Sequence, residues 1–402
     1  MTNRARKPLR WWGKLLCVFA SLGLFFGVLE IALRLIGVSI PTATVLGTFF
    51  QHDPQTGWMG RPNAQAHFQT SNFSVDVGHD ADGLRNCGLQ TRIADDRASD
   101  DRVCWMLGDS TTWGWGISDQ DHYVALLNRA APPDLRFRNL GVPGFSTVQE
   151  YFRLKDLFAR GYRPDVVLLC FNANDHWDNL LLTDDDPPRP HLRVDERGLQ
   201  VVEPPVSRSF EFEVGSFLRR NSLAVSYVSY HAQRARHARR SWLTPDRPAP
   251  QQGGTTDPAT SPPAPTPTSA TAKTPPPQPA TLPPETRDGL LLILRRLQEL
   301  CRSADVELAI ASEFEMDARL DSVCRELDIR LLDATKRYRR FLNSSEGGQV
   351  IFHSKDPHPN AIGHRLFAEA MLEELDDWHP EWRVRPRQVE LARDPHAAPT
   401  AR

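Results

Sequence analysis

The chain has 402 residues, a formal net charge of −2 and 33 prolines. So small a net charge argues against a dedicated nucleic-acid binder, which usually carries a strong basic excess. With an N-terminal apolar segment and a proline-rich tract set aside, roughly 280 residues remain, the size of one α/β domain.

The first expected element is a membrane helix. Leu15 to Leu29 carry no charge, and the apolar character continues to Val38, interrupted only by Glu30 and Arg34. The stretch from Lys14 to Val38 is long enough to cross about 30 Å of hydrocarbon. Arg4, Arg6, Lys7, Arg10 and Lys14 precede it with no acid among them, and no Lys, Arg, Asp or Glu follows Arg34 until Asp53. The positive-inside rule then predicts a cytoplasmic N-terminus and an extracytoplasmic, periplasmic remainder. A cleaved signal peptide wants a small-x-small site after its core, and residues 34–40 offer a poor one. Cys17 lies too early for a lipoprotein signal.

The predicted organisation is a basic tail and transmembrane anchor over 1–38, then an irregular extension over 39–98 rich in Gly, Asn, Asp and His, with a strand-like run from Phe73 to Val77. One domain follows in two parts, 99–243 and 287–384. Between them, residues 244–286 hold 14 prolines mixed with Thr, Ala, Ser and Gln. That composition cannot bury enough apolar surface to offset ordering entropy, so it predicts a disordered insertion. Long surface insertions add little closure entropy, so the two parts can share one core. Residues 385–402 read as a flexible tail.

Within the domain, Arg102–Leu107, Asp165–Phe171 and Val306–Ala311 are short apolar runs of the kind that form buried parallel strands. Apolar residues at 148, 151, 152, 154, 157 and 158 predict an amphipathic helix over 146–160, stopped by Gly161. A further helix is expected over Leu290–Leu300, and another from Ala361 into Glu374. Strands alternating with helices imply an α/β fold, a parallel sheet covered on both faces in three layers.

The chemistry-bearing residues stand where those strands end. Gly108-Asp109-Ser110 follows the first strand directly, and in open parallel sheets the reactive crevice lies outside the carboxyl ends of the strands. Gly144, just before the amphipathic helix, can present its backbone N–H to an anion because no side chain blocks the approach. Asn172-Ala173-Asn174-Asp175 ends the next strand, where an asparagine amide can donate to a developing oxyanion. In Asp356-Pro357-His358-Pro359-Asn360 an acid and an imidazole share one short loop, so Asp356 can fix the ring tautomer of His358 while the other nitrogen faces the serine. Asn360 is placed to cap the helix that follows. The cysteines at 17, 87, 104, 170, 301 and 324 form no CxxC pair and have no interleaved histidines, which argues against a zinc site. Cys104 and Cys170 read as small apolar residues of the sheet; a Cys301–Cys324 disulfide stays open.

Taken in order, G-D-S, a glycine after a short strand, x-x-N-D and D-x-H-P-N resemble the SGNH (GDSL-like) hydrolase family in its membrane-anchored bacterial form, over roughly residues 100–180 and 287–375. The resemblance implies a flavodoxin-like three-layer fold, with Ser110 as nucleophile, His358 as general base and Asp356 as third member of the triad. It also implies an oxyanion hole of the Ser110 N–H, the Gly144 N–H and the Asn174 side chain, and cleavage or transfer of acyl esters with no metal or cofactor. Two departures stand out: Asn172 replaces a common glycine, and Asp356 precedes His358 by two positions where many members use three.

Other residues carry two readings. His353 is a rival base without an orienting acid close by. His176 and Trp177 either line a pocket or cover its edge; Trp113 and Trp115 either stack on sugar rings or are buried. Arg234, Arg236, Arg239 and Arg240 form either a solvated helix face or a contact for anionic lipid or acidic polysaccharide. The expected partners are thus an acyl-ester substrate, polysaccharide or lipid, and the membrane itself, with no nucleic acid. Three activities are compatible with these residues: an esterase for acetyl or other short acyl groups, an O-acyltransferase on an exported polysaccharide, and a non-catalytic binding or assembly protein.

Overall fold

The computed structural model describes residues 11–38, 49–70, 72–89, 91–96, 101–180, 188–205, 214–215, 217–218, 221–229, 231–232, 285–313, 317–344, 351–354 and 356–382. The basic tail before Trp11, the arginines at 234–240, the proline-rich insertion as far as 284 and the tail 385–402 lie outside the described residues. The chain forms two compact units, residues 1–48 with 208–251, and residues 49–207 with 252–402.

The first unit contains α1 (Trp11–Ile36), one 26-residue helix whose only buried residue is Leu33. Its length and apolar composition suffice to cross a membrane. Residues 223–229 of the same unit are helical.

The second unit opens with two antiparallel hairpins, β1 (Phe50–Asp53) with β2 (Gly57–Gly60), and β3 (Gln65–Gln69) with β4 (Ser74–Gly78). The sequence reads as irregular here because the strands are only four or five residues long, although β3 and β4 do alternate polar and apolar residues. Phe49, Trp58 and Phe68 nevertheless bury their rings, and aromatic burial supplies the stability that short ladders lack.

The central sheet is parallel throughout. Its strands are β5 (Arg102–Leu107), β6 (Leu135–Asn139), β7 (Val166–Phe171), β10 (Glu307–Ser312) and β11 (Arg330–Asp333), in the order β11-β10-β7-β5-β6. In chain order this is the 2-1-3-4-5 pattern of flavodoxin-like folds, with the switch point between β5 and β7. Between β7 and β10 lies a small hairpin, β8 (His191–Asp195) with β9 (Gly198–Val202).

Alternation along the strands sorts the core into two halves. Cys104, Met106, Leu168 and Cys170 pack on one face with α3 (Tyr123–Ala130), α8 (Thr335–Leu342) and α9 (Ala361–Trp378). Val103, Trp105, Leu107, Val167 and Leu169 pack on the other with α4 (Thr147–Ala159), α6 (Glu285–Ser303) and α7 (Ala318–Leu327). The result is the three-layer α/β fold expected from the sequence. α6 runs beyond the expected Leu290–Leu300 at both ends, because Thr286 and Cys301 still face the core. Asn360 caps α9 through its side chain, accepting from the N–H groups of Ile362 and Gly363 at 2.9 and 3.1 Å. Cys301 and Cys324 are separate buried thiols, not a disulfide.

Candidate active site

The switch point gathers the loops that follow β5, β6, β7 and β10. Gly108 ends β5 in a space too small for a side chain: a Cβ there would lie 2.0 Å from the Thr112 hydroxyl. The tight turn leads into the single-turn helix α2 (Ser110–Trp113), capped by Asp109, whose Oδ1 accepts from the Thr111 N–H at 2.8 Å. Gly141 serves the same closeness after β6, since a Cβ on it would meet the Trp113 backbone nitrogen at 2.6 Å.

At the mouth of this turn, Ser110 Oγ lies 2.8 Å from His358 Nε2. The other ring nitrogen, Nδ1, is hydrogen-bonded to Asp356 Oδ1, and the same oxygen accepts from the His358 backbone N–H at 3.0 Å. Burial raises the Asp356 carboxyl, but these bonds from His358 outweigh it and hold the group below its usual value. The two-residue spacing closes an Asx-type turn, so the acid orients both the loop and the ring.

Gly144 has φ +75°, a conformation glycine adopts freely. Its carbonyl accepts from Arg189 Nη1 at 3.1 Å, and the neighbouring Pro143 carbonyl accepts from Trp58 Nε1 at 3.0 Å. Among the described residues, the backbone N–H groups of Ser110 and Gly144 donate to no partner. Asn174 differs: its amide nitrogen donates to Asp109 Oδ2 at 3.0 Å and to Asp178 Oδ2 at 2.9 Å, which uses both hydrogens.

Beneath these groups is a framework that the sequence alone did not point to. Glu313, directly after β10 and 1% exposed, accepts from Thr112 Oγ1 and from Asn172 Nδ2, both at 3.2 Å. Asn172 also donates to Thr111 Oγ1 at 3.0 Å, and Tyr123 OH donates to Thr112 Oγ1 at 2.8 Å. The amide that replaces the common glycine therefore ties the Ser110 turn to the Asn174 loop. Glu150, Asp175 and Glu313 are all fully buried, and burial, reinforced by neighbouring carboxylates including Asp109, pushes each well above the usual carboxylate range. Glu313 and Asp175 accept hydrogen bonds there, whereas neither Glu150 oxygen has a hydrogen-bond partner among the described residues. The available signal for Glu313 was an acid placed immediately after a buried strand on the crevice side of the sheet.

The remaining candidates separate cleanly. Trp113 is buried, whereas Trp115 is half-buried with its ring 5.8 Å from that of His358. His176 is buried and paired with Asp317 at 3.1 Å. His353 packs 5.2 Å from Phe73 and donates its backbone N–H to the His358 carbonyl at 3.1 Å. Among the described residues, no group of three His, Cys, Asp or Glu is placed to hold a metal ion.

Residues 106–366 match the GDSL-like lipase/acylhydrolase family. Similar solved structures include a lipolytic protein of the G-D-S-L family from Veillonella parvula, 14% identical, with 68% of this chain and 97% of that one covered at a TM-score of 0.34. The psychrotrophic esterase EstA from Pseudoalteromonas sp. is 12% identical over 70% of this chain and all of its own, at 0.36. A two-domain esterase active on acetylated mannans is 12% identical over 71% of this chain and 51% of its own, at 0.35. No curated protein matches the chain.

Proposed function

This chain belongs to the GDSL-like lipase/acylhydrolase family and is a serine ester hydrolase, and from that premise we propose an enzyme tethered by α1 outside the cytoplasm, acting on acetyl or other short acyl esters of cell-envelope carbohydrate or lipid. The observation that carries the chemistry is the 2.8 Å contact between Ser110 Oγ and His358 Nε2, continued to Asp356. His358 takes the Ser110 proton as the hydroxyl attacks the ester carbonyl, and Asp356 steadies the imidazolium that forms. The Ser110 and Gly144 N–H groups receive the oxyanion directly. Asn174 joins them by turning one hydrogen away from Asp178, the more exposed of its two acceptors. His358 then returns the proton to the departing alcohol, and water resolves the acyl-enzyme.

The charge asymmetry around α1 supports the outward placement, which makes acylated glycans and lipids the esters within reach. A fluorophosphonate probe should label the protein, acetate should be released from model esters, and both should vanish in Ser110→Ala. A folded protein that takes no label would be a binding or assembly protein instead, and acyl transfer to a glycan exceeding hydrolysis would make it an acyltransferase. Protease added to intact spheroplasts should digest the residues after 38; full protection would refute the outward placement.

A further inference from the structure

Glu30 and Arg34 interrupt an otherwise apolar helix, and the hydrolase chemistry makes no use of them. A carboxylate inside a membrane segment is costly unless paired, so its partners carry information. Glu30 pairs with Arg34 one turn on, at 2.5 Å. Its Oε2 also accepts from Ser222 Oγ at 3.0 Å and from the Ala224 N–H at 2.8 Å. Residues almost 200 positions away in the chain are thereby fastened to α1 at the start of the helical stretch 223–229.

The fastening fixes a depth. Glu30 stands six residues before Ile36, the last residue of α1, about 9 Å along the axis. It stands 16 residues after Lys14, about 24 Å, which is less than the roughly 30 Å of a hydrocarbon core. In a bilayer-spanning α1, any group bonded to Glu30 therefore lies at or below the boundary between headgroups and acyl chains. A second observation is independent of this depth. Phe217, Leu218 and Val228 are 56%, 44% and 42% exposed, large apolar side chains that water disfavours and that boundary welcomes.

We propose that the described residues of 214–229 form a second membrane-contacting element, seated on Glu30 and presenting Phe217, Leu218 and Val228 to lipid. The proposal rests on the reading of α1 as a membrane anchor. It assigns the Glu30–Arg34 interruption a role as the seat of that element, and it makes the bilayer a partner at two places in the chain.

The test uses the full chain reconstituted in phosphatidylethanolamine and phosphatidylglycerol vesicles, with a polarity-sensitive fluorophore on single cysteines. Cys17, the exposed cysteine of α1, reports the anchor itself, and the remaining cysteines are buried. Leu218→Cys and Val228→Cys report the new element and Val194→Cys, in an exposed position of β8, reports water, each of the three combined with Cys17→Ser. Emission at 218 and 228 is expected to be blue-shifted and several-fold brighter than at 194, and to be quenched by lipids brominated on their acyl chains. Water-like emission at 218 and 228 with an apolar signal at Cys17 overturns this proposal and leaves the anchor standing. Water-like emission at Cys17 overturns both.

Discussion

Asp356 and Glu313 each reach the Ser110 turn through one intermediary, the first through His358 and the second through Thr112 of that turn, yet their surroundings shift them in opposite directions. Asp356 sits in a partly open loop, and its bonds to the imidazole keep it ionised. Glu313 is buried directly after β10 with Asp109 and Glu150 for neighbours, and burial together with those carboxylates raises it well above the usual carboxylate range. In the proposed mechanism the first carboxyl stands where charge develops. The second braces two loops, and its raised value suits that place, because a second buried anion beneath the proposed oxyanion site would oppose the charge to be stabilised there.

Replacing each carboxyl by its amide, with almost no change of volume, separates the two roles. Asp356→Asn should leave the fold intact and lower kcat/KM by about 10³ to 10⁴, the loss expected when an imidazole keeps its place without its charged orienter. Steady-state hydrolysis of a model ester reads it, and a loss below tenfold would demote Asp356 to a loop-forming residue. Glu313→Gln should behave in reverse. The folded protein keeps the Glu313 proton above the pH at which the unfolded chain releases it, so the group's stabilising contribution is full below about pH 4 and is lost as pH rises toward the folded value. Glutamine cannot ionise, so the variant should match the parent near pH 4 and gain on it by at most about 1.4 kcal/mol per pH unit above that. Urea unfolding at two pH values checks the slope.

Smaller effects test the brace itself. Glu313→Ala, measured near pH 4 where ionisation plays little part, should cost about 2 kcal/mol because Thr112 and Asn172 lose a buried acceptor. Its kcat should fall more than its KM moves, since the groups displaced are the turn and the loop rather than a binding surface. Asn172→Gly should cost about 1 kcal/mol and lower kcat modestly, with Asn172→Ser recovering part of it if the hydroxyl still reaches Thr111.

The comparison also explains what the sequence discloses. Asp356 and His358 are two residues apart, so their pairing is written locally. Ser110, Gly144 and Asn174 follow apolar runs or precede a periodic helix, and parallel-sheet topology brings strand ends together wherever those runs pair. Glu313 meets Asn172 across 141 residues and Thr112 across 201, and no pattern near Glu313 encodes either partner. Asp178 lies only four residues after Asn174, and its claim on the Asn174 amide is set by the turn of α5 (Asp175–Asp178). Of the hairpins β1 to β4, only the Phe73–Val77 run shows in the sequence, because each strand is four or five residues long and the stability comes from packed rings, including Phe49 stacked on His79 at 4.0 Å.

Those hairpins lie wholly upstream of the span shared with the family, which begins at residue 106. They bring Trp58 against the Pro143–Gly144 turn and, just before β4, Phe73 against His353 and Trp115. The rings that wall the Gly144 turn and the His353–His358 loop thus come from a different stretch of chain than the hydroxyl, imidazole and carboxylate they flank. A change of side chain in the upstream stretch can reshape the approach to that turn without altering any of those three groups.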